Sequence, residues 1–304
     1  MKNEQNSVMK KMVLSGGTGY LGGLIQEYFK NEYEIYILTR SDRESKGNIH
    51  FVQWDSKNLG DWTRVLENAD VLINLAGMNI NTRFTEENKK KLLSSRIDST
   101  EALGKAIEQC ENPPKMWLNA SSAAIYEESK EVASTESDTS RGDDFLSFLS
   151  QKWEEAFYKY ANDKTKKAVF RISLILGDNE QSALHMLKKL VKLGGGGAAG
   201  SGEQMVSWMG EKDLPRALEF IIKNELTGAF NFSNGNVLSN ADFMKELRNK
   251  YKMPIGLPAP EFLINIGTKI IGTSPDLVLR SQNIAPKNLK DAGFKFEQLQ
   301  LSDI

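Results

Sequence analysis

A glycine-rich segment near the N-terminus, residues 15–22, constrains the fold more than any other feature of the sequence. Its glycines at 16, 19 and 22 follow a short apolar run and precede apolar residues at helical spacing. Because glycine has no Cβ, the backbone can turn tightly there and approach a pyrophosphate, while the helix N-terminus adds N–H groups. The segment predicts a strand–loop–helix unit that binds a dinucleotide. The predicted contacts are Gly16, Gly17, Thr18, Gly19, Tyr20, Leu21 and Gly22.

Short apolar runs alternate with longer amphipathic stripes along the first 178 residues, which is typical of repeated β-α units. The predicted strands are 11–15, 34–39, 49–53, 71–75, 115–120 and 168–176. The predicted helices are 19–30, 62–68, 85–109 and 144–162. We therefore expect an α/β fold with a Rossmann-type, doubly wound parallel sheet covered on both faces.

The pattern changes after about residue 178. A helix is predicted at 181–193, followed by a glycine-rich run at 194–202, a strand at 205–209 and a stretch interrupted by prolines. We expect a dinucleotide-binding domain at 1–178 and a smaller α+β substrate region at 179–304, with strands able to exchange between the two. Residues 1–8 are either a disordered tail or a start-site extension. The glycine-rich run is either a loop that closes over a substrate, with Gln204, Ser207 and Trp208 in the same cleft, or a linker, and the loop is favoured.

The end of the second predicted strand distinguishes between two cofactors, because NAD sites place an acid there and NADP sites place an arginine. The strand ends at Thr39, Arg40 and Ser41. A guanidinium can form two charge-assisted hydrogen bonds to a 2′-phosphate, and the flanking hydroxyls can add donors. The sequence therefore favours NADP(H), with Arg43 as a second cation. Asp42 is the opposing feature, since it could reach a ribose if the strand ended two residues later.

Further cofactor contacts are expected beyond the carboxyl ends of the next strands, where ligands of this fold bind. Two of these strand ends are candidates for the walls around the adenine and ribose, although a plain turn of small residues is the alternative at 76–77. The predicted wall residues are Trp54, Asp55, Leu75, Ala76 and Gly77, and Ser121 is a further predicted cofactor contact.

Composition excludes several other kinds of function. The 39 basic and 40 acidic residues leave a net charge of −1, so no field of either sign attracts nucleic acid or anionic lipid. A single cysteine, Cys110, and two histidines give neither a disulfide framework nor a zinc cluster, and no Ser-His-Asp spacing is informative. We expect a cytoplasmic monomer or homodimer with a small-molecule substrate and no metal, nucleic acid or membrane partner.

Several motifs together resemble a known superfamily, the extended short-chain dehydrogenase/reductases. The segments 16–22, 74–77 and 121–126 are similar to its cofactor-binding motifs. Over nearly its whole length, the chain also resembles an atypical epimerase-like subgroup that is sometimes named cell-division-inhibitor-like. The segments that carry this resemblance are 83–85, 95–100, 153–155, 200–204, 207–209 and 286–294. The resemblance implies an NAD(P)-dependent epimerase or dehydratase fold with a C-terminal domain of uncharacterised role.

The same resemblance exposes a departure at the catalytic positions. The superfamily uses a Tyr-x-x-x-Lys pair on the helix after the fifth strand, in which the lysine lowers the tyrosine pKa, and a serine upstream. Ser122 matches that serine, but the positions expected for the tyrosine and lysine hold Leu146 and Ser150. Where the superfamily has an asparagine on the long helix, this chain has Arg96, as the subgroup does.

Two other Tyr-x-x-x-Lys matches occur, Tyr126 with Lys130 and Tyr160 with Lys164. Both are interpreted as chance matches, because neither has the expected spacing from Ser122. The candidates for residual chemistry are Ser122, Arg96 and Ser150, with Tyr126 and Arg83 as outside candidates.

The sequence leaves the source of a proton open between water, Tyr126, Glu154 and Glu155. Arg171 could meet an anionic group or form a buried ion pair. We predict an NADP(H)-dependent oxidoreductase or epimerase-like enzyme with the Tyr-x-x-x-Lys pair replaced. The alternative is a non-catalytic NADP(H)-binding regulatory or scaffold protein.

Overall fold

Most of the described chain is built around a parallel sheet. The computed structural model describes residues 9–160 and 162–304; the predicted tail at 1–8 lies outside them. The strands are β1 (Lys10–Ser15), β2 (Tyr33–Thr39), β3 (Ile49–Gln53), β4 (Val71–Asn74), β5 (Met116–Ser122), β6 (Lys166–Ile172), β7 (Leu174–Leu176), β8 (Met205–Val206), β9 (Trp208–Gly210), β10 (Gly228–Phe232) and β11 (Leu238–Ser239).

Helices pack on both faces of this sheet and, in the C-terminal part of the chain, on the smaller sheets. They are α1 (Tyr20–Phe29), α2 (Glu86–Gln109), α3 (Phe145–Tyr158), α4 (Ala183–Lys192), α5 (Asp213–Lys223), α6 (Asn240–Lys250), α7 (Glu261–Ile271), α8 (Asp276–Leu279) and α9 (Lys287–Asp291). Short 3-10 segments occur at Asp61–Leu66, Ala123–Ile125 and Leu301–Asp303. The predicted helix at 62–68 is the first of these.

The central sheet has seven strands in the order β10-β6-β5-β4-β1-β2-β3, and every neighbouring pair is parallel. Six of these strands follow the doubly wound order in which the chain reverses direction across the sheet after β3. The predicted Rossmann-type fold is therefore confirmed. The seventh strand, β10, comes from the C-terminal part of the chain and extends the sheet beyond β6, while the division of the chain at residue 178 stays a prediction.

Side chains alternate between the two faces of the sheet, as the two-residue period of a strand requires. In β1, Met12 and Leu14 enter the apolar cluster on one face, whereas Val13 enters the cluster on the other. In β5, Leu118 and Trp117 divide in the same way. Because both faces are buried, the strands read as continuous apolar runs.

The predicted sixth strand, 168–176, is wrong as a single element. β6 ends at Ile172 and β7 pairs with β9 in a separate two-stranded sheet. Between them, both the amide and the hydroxyl of Ser173 donate to the carbonyl of Phe232, at 3.2 and 2.6 Å. The next amide, that of Leu174, donates to the Ser207 carbonyl instead. The apolar run continues across the break, so its pattern carries no sign that the chain changes sheets.

Side-chain hydrogen bonds cap the starts of α2 and α3. The Thr85 side chain accepts a hydrogen bond from the Asn88 amide at the start of α2, as predicted from a hydroxyl followed by acids. At the start of α3, Asp144 accepts from the amides of Leu146 and Ser147. The other carboxylate oxygen of Asp144 pairs with Arg280 at 2.8 Å, which ties the C-terminal part of the chain to α3.

Candidate functional site

A cavity of about 980 Å³ lies at the carboxyl ends of the central strands, where ligands of doubly wound sheets bind. Most residues that the sequence assigned to a cofactor line it. They are Gly16, Thr18, Gly19, Tyr20, Leu21, Gly22, Thr39, Arg40, Ser41, Trp54, Asp55, Leu75, Ala76, Gly77 and Ser121. Gly17 is the exception, because it packs against the side chains of Leu14 and Ile37 beneath the loop.

The glycine loop brings β1, β4 and α1 into close backbone contact. A Cβ on Gly16 would lie 2.7 Å from the carbonyl of Leu75, and Gly16 has a φ of +72°. A Cβ on Gly22 would lie 2.3 Å from the Gly17 carbonyl oxygen. α1 begins after Gly19 with no side-chain cap and no acid in its first turn. Its first N–H groups are therefore free of side-chain acceptors at the cavity wall, which suits the phosphates of a dinucleotide.

The end of β2 presents a cation to the same cavity. Arg40 is exposed and lines the cavity, and none of the described residues forms an ion pair with it. The Thr39 hydroxyl accepts from the Ser41 amide at 3.3 Å, which holds the turn. Arg43 also lines the cavity and stacks over the Phe51 ring at 5.8 Å. Asp42, the feature that favoured NAD, is not part of the cavity lining.

The end of β3 forms the outer wall. Trp54 is buried edge-to-face against Trp62, with ring centroids 5.2 Å apart. The Asp55 carboxylate accepts from the amides of Asn58 and Lys57 at 2.7 and 2.9 Å, and these bonds hold its pKa below the usual value. Asn58 Nδ2 donates to the second carboxylate oxygen at 2.6 Å, so Asp55 stays ionised at this wall with both oxygens bound to the turn that follows it.

A buried polar network supports the end of β4, and sequence reasoning missed it. Asn74 accepts from Ser15 at 2.5 Å and from the amide of Ala76 at 3.0 Å. Its amide group donates to Asn119 on β5 and to Thr100 on α2, at 2.7 and 3.0 Å. The network fixes the turn at Ala76 from three elements. Its only sequence signal is that polar residues interrupt apolar strands at neighbouring ends.

Three positions singled out by the resemblance meet in the cavity. Ser122, Leu146 and Ser150 all line it, and the latter two occupy the positions expected for a tyrosine and a lysine. The Ser150 hydroxyl donates to the Leu146 carbonyl at 2.7 Å. Ser122 Oγ accepts from the Ala124 amide at 3.1 Å, which leaves the hydroxyl proton of Ser122 without an acceptor among the described residues. Neither a phenol nor an ammonium occupies the expected positions.

Tyr126 does not reach the cavity, which corrects its place among the catalytic candidates. Its side chain is buried, its hydroxyl donates to Asn231 at 2.8 Å, and it accepts from Arg171 at 2.6 Å. Burial raises the pKa of this phenol. Lys130 pairs with Glu203 at the surface instead of approaching Tyr126.

The second chance match, Tyr160 with Lys164, also lies elsewhere. Tyr160 packs against Gly104 on α2, and Lys164 donates to the Glu111 carbonyl. Neither residue lines the cavity.

Of the two acids weighed as proton donors, neither is free. The Glu154 carboxylate accepts hydrogen bonds from Nε and Nη2 of Arg171, each at 2.8 Å, and from the Ser121 hydroxyl at 2.7 Å. Arg171 therefore forms the buried ion pair, the second of the two roles considered for it. Glu155 is exposed on the other side of α3 and pairs with Lys152.

The other two arginine candidates differ in location. Arg96 lines the cavity, stacks over the Trp153 ring at 5.0 Å and donates to the Leu92 carbonyl at 3.1 Å. Arg83 instead donates to the carbonyl of Lys269 in α7 and does not line the cavity.

The glycine-rich run at 194–202 does not close over the cavity. Its backbone bonds to the segment around Leu257 and Ala259, through Gly197 and Gly200. Trp208 is fully buried in a separate apolar cluster. The expectation that this run and the residues after it form the cleft is wrong, because neither the run nor Gln204, Ser207 and Trp208 line the cavity.

Residues 12–231 match the family model described as the NAD dependent epimerase/dehydratase family. This chain belongs to that family. It is 31% identical over 288 residues to the epimerase family protein YfhF of Bacillus subtilis strain 168, covering 94% of this chain and 93% of that one. It is 34% identical over 297 residues to the epimerase family protein SA0724 of Staphylococcus aureus strain N315, covering 96% and 97%.

Solved structures agree with this assignment. Human epimerase family protein SDR39U1 (isoform 2), solved with NADPH, superimposes with a TM-score of 0.85 at 26% identity, covering 96% of this chain and 97% of that chain. MoeE5 in complex with UDP-glucuronic acid and NAD has the same fold, with a TM-score of 0.75 at 15% identity and 94% coverage of each chain. The predicted resemblance to an atypical, epimerase-like short-chain dehydrogenase/reductase is confirmed, and the family supports a site for a nicotinamide dinucleotide.

Within the described ranges 9–160 and 162–304, no helix combines the length and apolar character that crossing a bilayer requires. Within the same ranges, no group of three or more histidine, cysteine or acidic side chains is arranged to hold a metal ion.

Proposed function

We propose that the cavity binds NADP(H) and that the protein is an NADP(H)-dependent oxidoreductase or epimerase-like enzyme acting on a small substrate. One observation carries the proposal. The uncapped start of α1, the unpaired cation Arg40 and the free hydroxyl of Ser122 all face one continuous cavity. The NADPH in the human relative's structure supports the same choice of cofactor.

The sheet order suggests how a dinucleotide would extend along the cavity. Arg40 and Ser41 follow β2 and would hold the 2′-phosphate, and the amides of Gly19 to Leu21 at the start of α1 would hold the pyrophosphate. Because β4 and β5 lie on the far side of β1 from β2, the nicotinamide end would then point toward Gly77 and Ser122. The bare Cα atoms of the loop leave room for the phosphates.

Bound NADP(H) would supply a hydride donor or acceptor. Around it, Leu149 and Trp153 form an apolar part of the cavity wall. The free hydroxyl of Ser122 can donate a hydrogen bond to a substrate oxygen. Because Leu146 and Ser150 replace the phenol and the ammonium, no side chain there can release a proton near neutral pH. We propose that water entering through the open cavity carries the proton.

The same replacement favours a second candidate function. A protein that binds NADP(H) without a Tyr-x-x-x-Lys pair could act as a regulatory protein or scaffold that responds to the cofactor. The two candidates differ in whether hydride transfer occurs and whether it depends on Ser122.

The test is a hydride-transfer screen with NADPH carrying deuterium at C4 of the nicotinamide. Ketones, aldehydes, 2-oxo acids and sugar nucleotides that carry an oxo group are the acceptors, and product deuterium is measured by mass spectrometry. We expect deuterium transfer to at least one acceptor, reduced about 10- to 100-fold by Ser122→Ala, since a hydrogen bond to a developing negative charge is lost.

Ser94→Ala is the matched control, because Ser94 also lines the cavity but its hydroxyl donates to the Lys91 carbonyl. Transfer that is unchanged by Ser122→Ala would exclude the role given to this hydroxyl. Tight NADPH binding without transfer to any acceptor would favour the regulatory protein.

A further inference from the structure

Arg96 is a cation without an anion in the cavity wall. Its guanidinium stacks over Trp153 at 5.0 Å and makes one hydrogen bond, from Nη1 to the Leu92 carbonyl. No carboxylate within the described part of the chain forms an ion pair with it. Arg171 and Arg280, whose side chains are only 5% exposed, each pair with a carboxylate at 2.8 Å. Of these three arginines, Arg96 alone has no anionic partner among the described residues.

An unpaired charge in a poorly hydrated position is costly, and proteins normally pair it. Burial lowers the pKa of Arg96 to about 10, which still leaves the group charged at neutral pH. The ring of Trp153 stabilises the cation through its face but supplies no negative charge. The remaining N–H groups on the guanidinium edge are free to donate to a ligand in the cavity.

The position of Arg96 separates it from the phosphates of the proposed cofactor. A Cβ on Gly77, just beyond β4, would lie 3.2 Å from the Arg96 side chain. Arg40 follows β2, and the start of α1 follows β1, so both lie on the other side of β4 from β5. If Arg40 and the start of α1 hold the cofactor phosphates, Arg96 is left to bind an anionic group near the nicotinamide end.

We infer that Arg96 binds a carboxylate of the substrate and that the substrate is a small carboxylic acid bearing a carbonyl or hydroxyl group. The inference rests on the proposed function for the placement of the cofactor. A planar guanidinium edge matches the two oxygens of a carboxylate, and the single positive charge matches its single negative charge. The free hydroxyl proton of Ser122 can be donated to the carbonyl or hydroxyl oxygen of the same substrate.

The experiment uses protein saturated with NADP⁺, so that the cofactor phosphate sites are occupied and no reduction can occur. Acetate, pyruvate and oxalate are titrated at constant ionic strength, with inorganic phosphate as a separate arm. Calorimetry gives the affinity. Tryptophan fluorescence gives a second readout, because an anion on Arg96 changes the environment of the stacked Trp153.

We expect saturable binding of at least one carboxylate with a Kd on the order of 1 mM. Arg96→Gln should weaken it about 10- to 100-fold, while the NADP⁺ affinity changes little. Arg96→Lys keeps the charge without the planar edge and should retain part of the affinity. Trp153→Phe should remove the fluorescence change but keep the calorimetric binding.

Lys91→Gln is the matched control for cavity charge. Lys91 also lines the cavity, but it pairs with Glu87 at 2.6 Å, so its removal should leave carboxylate binding unchanged. Equal weakening by Lys91→Gln and Arg96→Gln would overturn the inference, because it would show only a general effect of charge.

Three other results would also overturn it. The first is no saturable carboxylate binding to the wild type up to roughly 100 mM, which is weaker than a specific charge-paired site provides. The second is Arg96-dependent binding of phosphate alone. The third is a large loss of NADP⁺ affinity in Arg96→Gln, which would assign the guanidinium to the cofactor. If NADP⁺ does not bind, the proposed function fails separately, and the same titrations on the free protein still test Arg96.

Discussion

Arg171 on β6 binds both carboxylate oxygens of Glu154 on α3, with two N–O distances of 2.8 Å, in a position where both side chains are buried. Tyr126 and Ser121 complete the set of hydrogen bonds around the pair. The contact joins α3 to the sheet directly behind the cavity wall. Because the Glu154 carboxylate is held in this pair, it is not available as the proton donor that the sequence left open.

Removing one partner of this pair should cost far more stability than removing an exposed pair on the same helix. Glu154→Gln is expected to lower the free energy of unfolding by about 3–5 kcal/mol, because it leaves the charge of Arg171 buried and unpaired. Glu155→Gln, which breaks an exposed pair with Lys152, should cost less than about 1 kcal/mol. Urea unfolding of the two variants measures the difference. Equal losses would mean that the buried pair is no more important than the surface pair.

Two adjacent glycines in α1 should respond oppositely to alanine. Gly22→Ala places a Cβ 2.3 Å from the Gly17 carbonyl oxygen, so α1 must move away from the loop and cofactor affinity should fall at least about tenfold. Gly23→Ala meets nothing within 4 Å and should keep the affinity while stabilising the helix by up to about 1 kcal/mol. Calorimetry with NADPH and thermal unfolding distinguish the pair. An unaffected Gly22→Ala variant would show that the close approach is not needed.

The ammonium of Lys167 should make stability depend on pH under alkaline conditions. It lies 4.1 Å from the Phe157 ring centroid, and burial lowers its pKa from 10.5 to about 8. Between these values the unfolded chain binds more protons than the folded chain, so the contribution of Lys167 to stability rises with pH. The melting temperature of the wild type minus that of Lys167→Met should therefore increase from pH 8 to 10.5.

The neighbouring lysine gives the control for this pH effect. Lys166 is exposed and pairs with Glu225 at the surface, so Lys166→Met should show no comparable increase. A pH-independent difference between wild type and Lys167→Met would contradict the lowered pKa.

The features that the sequence could predict are those determined by neighbouring residues. The glycine spacing at 16–22 specifies a turn, a close backbone contact and a helix start within seven residues. Thr85 caps α2 through the Asn88 amide, three residues away. The wall residues at 54–55 and 75–77 follow from strand ends, because parallel strands bring their carboxyl ends to one edge of the sheet.

The features that could not be predicted depend on partners far apart in sequence. Asn74 bonds to residues at 15, 100 and 119, so no local pattern distinguishes it from a solvated strand end. The break at Ser173 depends on the Phe232 carbonyl, 59 residues away. The phenol of Tyr126 lies away from the cavity because it bonds to Asn231 and Arg171. Neither of these residues is part of the Tyr-x-x-x-Lys pattern.

The assignment of Arg40 to a 2′-phosphate predicts a change in cofactor preference. Arg40→Asp should weaken NADPH binding about 10- to 100-fold through the loss of one or two charge-assisted hydrogen bonds, while NADH binding stays the same or improves. Asp42→Asn is the control, because Asp42 lies outside the cavity lining and should leave both affinities unchanged. Equal losses of NADPH and NADH in Arg40→Asp would place this side chain away from the 2′-phosphate.

The most direct test of the central claim is a calorimetric titration of the purified wild-type protein with NADPH and, in parallel, with NADH. The free start of α1 and the unpaired Arg40 predict one site per chain that binds NADPH at least about tenfold more tightly than NADH, since only NADPH carries the phosphate that Arg40 can pair. Equal affinities, or no binding of either dinucleotide, would contradict the account.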